Sequence, residues 1–252
     1  MMQSTPFDLT GKTALVTGGG RGIGAGIARV LANAGANVVI ADIDLASAQS
    51  QAAALHEGCG AARIDLADEN SIAQGCAETI ARFGVPWLLV NNAALLDREL
   101  LLDATSDQWD RTLAVNARGP YLMSRDIARA MVAQGGGGRI VNIASASIFG
   151  SITFGHAAYA SSKAALLGLT RASALELASH GITVNLVLPG GVATQGAINA
   201  RGPAPQGPAC RPPPLGLCEP EDIGHAVLFF ASPAAARITN QAVAVDGGWS
   251  VT

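Results

Sequence analysis

Residues 13–24 read TALVTGGGRGIG, a short apolar run that leads into a glycine-rich turn and then into a helical segment. The apolar run predicts a buried strand, and residues 22–34 have the apolar spacing of an amphipathic helix. We interpret Gly18 as the residue that permits the tight turn, Gly22 as the point where backbone approaches a phosphate, and Gly24 as the position where helix and strand pack closely. Because the helix start offers free N–H groups and a positive dipole end, the turn is predicted to bind phosphate.

The next apolar run supports the interpretation that the bound phosphate is part of a dinucleotide. Residues 38–42, VVIAD, end in Asp42, which follows Gly24 by 18 residues. A carboxylate at the end of the second strand is placed to accept hydrogen bonds from a ribose hydroxyl. An ordinary connection between a strand and a helix is the alternative interpretation of the glycines, and the position of Asp42 argues against it.

Short apolar runs and helical segments alternate from this turn to the end of the chain. The runs predict strands at 13–17, 38–42, 61–65, 87–91, 139–145, 182–188 and 242–245. The intervening segments predict helices at about 22–34, 44–57, 68–83, 106–133, 157–179 and 220–231. This alternation is typical of βαβ units. We therefore predict one α/β domain over residues 1–252, a doubly wound Rossmann fold whose seven-stranded parallel sheet has helices on both faces.

The composition argues against several other classes of protein. Of the 252 residues, 49% are hydrophobic and 14% are charged, which allows a sizeable core and argues against disorder. The net charge of −3 comes with no basic stripe, so nucleic acid is not an expected partner. No run of about 18 apolar residues predicts a membrane span, and the first residues lack the pattern of a secretory signal.

The cysteines suggest a reducing compartment. They have neither metal-ligand spacing nor a CxxC motif, and they are Cys59, Cys76, Cys210 and Cys218. We therefore expect reduced thiols, no metal site and a cytoplasmic location.

One stretch, residues 195–219, interrupts the alternation with six prolines and four glycines. Proline lacks an N–H, so this density excludes a strand and most helix. A disordered linker between two domains would look similar, but only one further helix and one further strand follow it. We predict a substrate-binding lid over the carboxyl edge of the sheet, mobile without ligand and ordered by substrate.

Tyr159 and Lys163 form a second motif, YASSK, and their spacing places both side chains on one helix face. The chain has 14 arginines and only two lysines, so a lysine here suggests a need for a compact ammonium group. An adjacent ammonium favours the phenolate, so we predict that Lys163 lowers the pKa of Tyr159 and makes it an acid/base. A surface pair is the alternative. Ser145, at the end of a predicted strand, either binds a substrate carbonyl oxygen or simply caps the strand.

Taken together, these motifs resemble those of the short-chain dehydrogenase/reductase family in its single-domain form. The resemblance runs from about Leu9 to Gly248. It rests on TGGGRGIG (17–24), Asp65, NNAA (91–94), Asn116, NIAS (142–145), YASSK (159–163), PGGVAT (189–194) and VDGG (245–248), in family order and at family spacing. It implies an oxidoreductase that transfers a hydride between a nicotinamide cofactor and a secondary alcohol or ketone.

The resemblance implies four catalytic residues. Tyr159 would exchange the substrate hydroxyl proton, and Lys163 would lower its pKa and bind the nicotinamide ribose. Ser145 would hold the substrate oxygen. Asn116 would support a water that links Lys163 to solvent.

It also implies a cofactor site. The residues are Gly18, Arg21, Gly22, Ile23, Gly24, Asp42, Asp65, Leu66, Asn92, Ala93, Tyr159, Lys163, Pro189, Gly190, Val192 and Thr194. Their implied roles include adenine contact by Asp65 and Leu66, the nucleotide channel for Asn92 and Ala93, and carboxamide binding by Val192 and Thr194.

The chain departs from the family pattern at several points. Ala94 stands where the family usually has glycine, and its methyl group is tolerable only if the backbone φ is negative. Ser145 precedes Tyr159 by 14 residues, one more than the commonest family spacing, so the loop between them must bulge. Ser147 is a rival for the serine role, although the NxxS spacing from Asn142 favours Ser145. The proline-rich lid also replaces the two short helices usual in the family.

The expected pocket is mostly small or apolar, which favours a neutral substrate. Its expected contributors are the lid and Leu95, Leu96, Ser147, Ile148, His156, Gly190 and Gly191. His156, three residues before Tyr159, is a candidate for substrate contact. Arg201 and Arg211 on the lid could instead meet a carboxylate, so acidic substrates remain an alternative. Trp249, near the chain end, could pack at a subunit contact.

Two residues disagree about the cofactor. Asp42 would accept both adenosine ribose hydroxyls and repel a 2′-phosphate. Arg21 argues the other way, because NADP-dependent members of the family often have a basic residue there. Position 43, where an arginine would help to hold the phosphate, is Ile43. We therefore predict NAD.

The sequence also leaves two alternative functions open and predicts an oligomeric state. The alternatives are an NADPH-dependent 3-oxoacyl-thioester reductase, with Arg125 and Arg129 as docking residues for an acidic carrier, and a catalytically weak dinucleotide-binding regulatory protein. The helical stretches 106–133 and 157–179 carry apolar residues on exposed as well as buried faces. Family members pair these helices, so a homotetramer is expected.

Overall fold

The computed structural model describes residues 6–150, 152–194 and 200–251. Its centre is a seven-stranded, wholly parallel sheet with the strand order β3-β2-β1-β4-β5-β6-β7. The strands are β1 Thr13–Thr17, β2 Asn37–Asp42, β3 Gly60–Arg63, β4 Leu88–Asn91, β5 Gly138–Ile143, β6 Ile182–Pro189 and β7 Ala242–Val245. The predicted α/β Rossmann sheet is confirmed.

The chain begins in the middle of the sheet and builds outward in both directions. β1 pairs with β2 on one side and β4 on the other, so that Leu15 lies beside both Val39 and Leu89. From β1 the chain moves out to β3, then returns to β4 and continues to β7. The strand order therefore reverses between β1 and β4. Open parallel sheets bind ligands at the carboxyl edge of this reversal.

Helices cover both faces of the sheet. They are α1 Gly22–Asn33, α2 Leu45–Ala53, α3 Glu69–Phe83, α4 Ser106–Leu113, α5 Gly119–Gln134, α6 Ala157–Leu177 and α7 Pro220–Ala231. Ile27 of α1 and Val227 of α7 belong to one buried cluster, and Ile72 of α3 and Ile127 of α5 belong to the other. Because both faces are covered, β4, β5 and β6 are buried at every position rather than at alternate ones. In the described parts of the chain, no helix combines the length and apolar character that a bilayer crossing requires.

The predicted single helix over 106–133 is wrong, because the structure divides it. α4 ends at Leu113, a π-helical segment covers Ala114–Arg118, and α5 then begins. Pro120 has no N–H for the carbonyl four residues earlier, that of Asn116, so a regular helical ladder cannot run through this point. The wider turn places the side chain of Asn116 in the interior, where it is fully buried.

Some elements are shorter than predicted. β3 ends at Arg63 rather than at residue 65, and α2 ends at Ala53 rather than at residue 57. β5 ends at Ile143 rather than at residue 145, because Ser145 instead caps a short 3₁₀ turn. The loops that follow β3 and β5, at the carboxyl edge of the sheet, are correspondingly longer.

The described part of the predicted lid, residues 200–219, contains one 3₁₀ turn, Pro208–Cys210, and no strand. Residues 195–199 lie outside the described residues. Lid carbonyls accept hydrogen bonds from the body of the protein, for example Gln206 O from the Phe154 N–H at 2.8 Å.

Trp249 is buried inside the subunit. Its side chain is buried, and its Nε1 donates to the Ala209 carbonyl of the lid at 3.2 Å. The lid therefore covers the indole within the subunit, and little of its surface is left for the expected subunit contact.

Candidate active site

Tyr159 and Lys163 lie one turn apart near the start of α6. Lys163 is only 3% exposed, and its Nζ donates a hydrogen bond to the carbonyl of Ile143, the last residue of β5, at 2.8 Å. Nζ lies 5.8 Å from the centre of the Tyr159 ring. The two side chains share a helix face as the spacing predicted. The alternative of a surface pair is excluded, because the lysine is buried.

Burial acts on both titratable groups and favours the neutral form of each. Burial raises the pKa of Tyr159 to about 12, and a hydrogen bond with Ser145 lowers it by a smaller amount. Burial lowers the pKa of Lys163 to about 8. In the protein alone, therefore, Lys163 does not bring the pKa of Tyr159 below its ordinary value, contrary to expectation. The loss of hydration dominates both groups, and the ammonium directs a hydrogen bond to a carbonyl instead.

Ser145 caps a short turn and also contacts the tyrosine. It caps the turn Ala146–Ile148 and accepts from the Ser147 N–H at 3.2 Å. Its hydroxyl also accepts from the Ser147 hydroxyl at 2.9 Å and hydrogen-bonds Tyr159. The geometry favours Ser145 over its rival Ser147, because Ser145 is the serine that contacts the tyrosine.

Asn116 connects three elements behind the tyrosine. Its Oδ1 accepts from the Leu95 N–H at 2.8 Å, and its Nδ2 donates to the Leu95 carbonyl at 2.9 Å and to Ser162 Oγ at 3.1 Å. Ser162 in turn donates to the Tyr159 carbonyl at 2.7 Å. Sequence reasoning missed Ser162, although it lies inside the YASSK motif. Asn116 and Ser162 therefore fix the backbone that carries the tyrosine.

The glycine turn forms a cradle that no side chain can enter. Gly18 has φ +62°, and a Cβ added there would lie 2.7 Å from the Ala93 Cα. A Cβ on Gly24 would lie 2.2 Å from the Gly18 carbonyl oxygen, so helix and strand pack as predicted. Gly22, with φ +55°, begins α1 opposite Thr194. Ile23, the second residue of α1, packs against the core. The cradle leaves backbone accessible at the helix start, which fits a phosphate.

Asp42 is held at the end of β2 by the turn itself. Its Oδ2 accepts from the Gly20 N–H and its Oδ1 from the Asp44 N–H, both at 3.1 Å, and the residue is 8% exposed. Arg21 and Ile43, by contrast, are exposed. The carboxylate therefore has a fixed position beside the cradle.

The segment after β4 lines the other side of the cradle. Asn92 Nδ2 donates to the carbonyls of Thr17 and Gly18, at 2.9 and 3.1 Å. The Thr17 hydroxyl accepts from the N–H groups of Asn92 and Ala93. Thr17 was missed as a positioning residue, because a threonine at a strand end carries no specific signal. Among described non-glycine residues only Asn240 has positive φ, so the condition set for Ala94 is met.

Two further groups of cofactor candidates lie at the same edge. Asp65 and Leu66 follow β3, where the Asp65 Oδ1 accepts from the Ala67 N–H at 2.9 Å and Leu66 is buried. Pro189 ends β6, and the Gly190 N–H donates to the Val245 carbonyl at 2.9 Å.

The segment after β6 returns towards the cradle. Val192 forms an isolated bridge with Cys218, and Thr194 lies beside Gly22 at the start of α1. With the cradle and Asp42, these residues form a continuous edge that fits a dinucleotide.

A cavity of about 680 Å³ lies next to Tyr159. The described residues that line it are Leu101, Ser147, Gly150, Ile152, Thr153, Phe154, Gly155, His156, Ala157 and Pro208. Of the pocket residues expected from the sequence, Ser147 and His156 line this cavity. The others do not, and they are Leu95, Leu96, Ile148, Gly190 and Gly191. Leu95 is instead held by Asn116, and Gly191 accepts a hydrogen bond from the Cys218 N–H.

His156 occupies the position before the first turn of α6, and its ring lies beside that of Tyr159. Its ring centre lies 4.9 Å from that of Tyr159. The pKa of His156 is lowered to about 4, chiefly by burial and also by the positive charge of Arg98. The imidazole is therefore neutral at physiological pH.

Arg98 is a buried arginine that sequence reasoning missed. It is 7% exposed, its Nε donates to the Pro203 carbonyl at 2.7 Å, and its Nη2 donates to the Ala200 carbonyl at 3.2 Å. Its backbone N–H donates to the Arg201 carbonyl at 2.9 Å. Arg98 therefore attaches the first described turn of the lid to the segment that follows β4.

Comparisons with known proteins agree with this geometry. The family model described as enoyl-(acyl carrier protein) reductase matches residues 18–250. Galactitol 2-dehydrogenase (L-tagatose-forming) of Cereibacter sphaeroides is 40% identical over 98% of this chain and 98% of its own length. Sorbitol dehydrogenase of the same organism is 38% identical over 95% of this chain and 98% of its own length.

Solved structures are similar over nearly the whole chain. A short-chain type dehydrogenase/reductase from Mycobacterium marinum has a TM-score of 0.88 at 31% identity, covering 98% of both chains. A 3-ketoacyl-(acyl-carrier-protein) reductase from Brucella melitensis, complexed with NADH, has a TM-score of 0.88 at 33% identity. The similarity covers 96% of this chain and 100% of the reductase chain.

Proposed function

Because the chain belongs to the short-chain dehydrogenase/reductase family, we propose that it is an NAD(H)-dependent dehydrogenase with Tyr159 as its acid/base. The family uses a nicotinamide dinucleotide, and the relatives named as polyol dehydrogenases support interconversion of a secondary alcohol and a ketone. The observation that carries the proposal is the contact of Tyr159 with Ser145, beside buried Lys163, at the sheet edge that bears the glycine cradle.

The bound cofactor would accept or supply the hydride, and the protein would handle the proton and the geometry. In oxidation, Tyr159 would take the hydroxyl proton, and in reduction it would return it to the carbonyl oxygen. Ser145 would hold that oxygen through its hydroxyl. Because burial raises the pKa of Tyr159, its phenolate needs a nearby cation, and Lys163 is the cation beside the ring. Lys163 would also bind the nicotinamide ribose.

The preference for NAD over NADP rests on Asp42. Two backbone N–H groups fix the carboxylate beside the cradle. A 2′-phosphate there would meet a like charge that cannot turn away, whereas Arg21 lies on the exposed surface of the turn. We expect NAD to exceed NADP by at least about 100-fold in kcat/KM.

The experiment is a comparison of kcat/KM with NAD and NADP in the wild type and in two variants. Asp42→Ala should lower the ratio of kcat/KM for NAD to that for NADP, mainly because NAD binds more weakly and NADP is no longer repelled. Arg21→Ala, the matched control in the same turn, should leave the preference for NAD or increase it. Comparable values for the two cofactors in the wild type would reject the assignment of Asp42.

A second candidate function is the NADPH-dependent reduction of a 3-oxoacyl thioester. It is supported by the match to the enoyl-(acyl carrier protein) reductase family model and by the similarity to the solved 3-ketoacyl-(acyl-carrier-protein) reductase structure. The suggested docking residues support it poorly, because Arg125 forms ion pairs with Glu69 and Asp126, and Arg129 lies 3.8 Å from Asp126. Turnover of an acetoacetyl thioester with NADPH above that of any secondary alcohol with NAD would favour this function.

We also propose that the chain forms a homotetramer and is a cytoplasmic protein. The apolar surfaces of α5 and α6 support the assembly, and four free cysteines support a reducing compartment.

A further inference from the structure

The cavity beside Tyr159 has mostly apolar walls. Leu101, Ile152, Phe154 and Pro208 provide most of its larger described side chains. Three of these are also exposed, at 76%, 42% and 58% for Leu101, Ile152 and Phe154, so the mouth of the cavity is apolar too. Such walls favour a carbon skeleton rather than a row of hydroxyl groups.

Few polar side chains in this wall can serve a substrate. Ser147, Thr153 and His156 are the polar members of the described lining, and the Ser147 hydroxyl already donates its proton to Ser145. The Nε2 atom of His156 is buried and has no hydrogen-bond partner among the described residues. A buried polar atom without a partner lowers stability, and a ligand that supplies the partner recovers that loss.

The position of His156 determines which ligand atom it can reach. Its ring and that of Tyr159 are neighbours, with centres 4.9 Å apart. An oxygen that meets His156 while the reacting hydroxyl meets Tyr159 therefore belongs close to the reacting carbon. A neutral imidazole carries one donor and one acceptor nitrogen, so it can bind either a hydroxyl or a carbonyl oxygen.

On the basis of the proposed function, we propose that the substrate is a vicinal diol, or the matching hydroxyketone, with an apolar remainder. His156 is the specificity-determining residue that hydrogen-bonds the second oxygen, and the apolar wall holds the carbon skeleton. A sugar alcohol fits this wall less well, because its further hydroxyls would lose water and find few partners. This chain would therefore differ from the relatives named as sorbitol and galactitol dehydrogenases.

The test compares kcat/KM for trans-cyclohexane-1,2-diol, cyclohexanol, galactitol and sorbitol in the wild type and in His156→Phe. We expect the wild type to prefer the diol by at least about 10-fold over each of the other three. His156→Phe should lose at least about 10-fold on the diol and stay within about threefold on cyclohexanol. His156→Gln, which keeps a hydrogen-bonding group, should retain the preference for the diol. The exposed His180, substituted as His180→Phe, is the matched control.

Three outcomes would overturn the inference. Preference for galactitol or sorbitol would reject the apolar remainder while leaving the proposed dehydrogenase function intact. If the ratio of kcat/KM for the diol to that for cyclohexanol is the same in the wild type and in His156→Phe, the role of His156 is rejected. A protein that oxidises none of these alcohols with NAD or NADP would fail the proposed function itself, and this inference with it.

Discussion

At the scale of single residues, Tyr159 and Lys163 are linked by opposite effects of the same burial. Burial raises the pKa of the phenol to about 12 and lowers that of the ammonium to about 8, so burial shifts each group towards its neutral form. A phenolate beside an ammonium offsets part of both losses of hydration. The two residues are therefore expected to act as a pair in which substitution of either affects the other.

Replacement of the acid/base is the direct test of the mechanism. Tyr159→Phe removes the transferable proton and leaves the ring, so kcat should fall at least about 100-fold while the cofactor Kd changes only a few-fold. Steady-state kinetics and a cofactor titration measure the two quantities. The control is Tyr121→Phe, which changes the other tyrosine of the chain at an exposed position. Near-normal turnover in Tyr159→Phe would remove Tyr159 from the mechanism.

His156 should make the protein sensitive to acid. Its folded pKa of about 4 lies below the ordinary 6.5, so the unfolded chain binds more protons between these values. Stability should therefore fall as the pH falls from 6.5 to 4. The full pKa shift would change the free energy of unfolding by about 3 kcal/mol. Because solvent partly screens this half-buried ring, we expect a change of about 1–2 kcal/mol.

Chemical denaturation of the wild type and His156→Gln at pH 4.5 and pH 7 measures this effect. The variant should lose less stability on acidification than the wild type. Arg98, whose charge adds to the shift, Tyr159 beside the ring and Glu99, bridged to His156 through the backbone, are unchanged in the comparison. Equal acid sensitivity of the two proteins would contradict the prediction.

At the scale of elements, the lid is held by an arginine rather than by secondary structure. Arg98 donates to the carbonyls of Pro203 and Ala200, and its backbone N–H donates to that of Arg201. A Cβ on Gly202, which has φ +98°, would lie 1.8 Å from the Arg98 carbonyl oxygen. The lid backbone therefore lies directly against this arginine, and only glycine fits at residue 202.

Removal of the guanidinium should loosen the lid. Arg98→Met abolishes two hydrogen bonds from a charged donor, each worth about 1.5–3 kcal/mol, so the open lid should become more populated. Limited proteolysis after Arg201 or Arg211 should accelerate, KM should rise, and kcat should change less. Arg111→Met, at an exposed position of α4, is the control. In the wild type, NAD with substrate should slow cleavage. Cleavage that neither substitution nor ligand alters would show that the lid does not open there.

Local patterns predicted the parts of the site that depend on local spacing. The glycine turn and the pair Tyr159 and Lys163 were predicted because their geometry follows from one strand–helix turn and one helix face. The bond from Arg98 to Pro203 spans 105 residues and ends on a carbonyl, which leaves no trace in residue identity. The raised pKa of Tyr159 depends on burial by distant segments, so the YASSK motif alone suggested the opposite direction.

At the scale of the whole molecule, the subunit has apolar surface that its own fold leaves uncovered. Tyr121 on α5 is 51% exposed and Leu175 on α6 is 81% exposed, and Ala172 lies on the exposed side of α6. These helices are the ones that the family pairs across a two-fold axis. Association would bury this surface, and each Å² of apolar area removed from water would stabilise the assembly by about 25 cal/mol.

Light scattering at micromolar concentration should give the mass of four chains. Ala172→Arg places a long cation on the exposed side of α6, where the isolated subunit accommodates it, so it should produce smaller species with an unchanged circular dichroism spectrum. Glu57→Arg, on an exposed loop residue away from these helices, should remain tetrameric. A monomeric mass for the wild type would reject the assembly.

The burial of Trp249 under the lid gives the protein a built-in optical reporter. The chain has three tryptophans: Trp249 meets the lid at Ala209, Trp109 is partly exposed on α4, and Trp87 lies between the cations of Lys12 and Arg139. With Trp87 and Trp109 replaced by phenylalanine, the remaining fluorescence would come from the indole that the lid covers. Its emission wavelength would then follow lid movement in real time, with no attached dye.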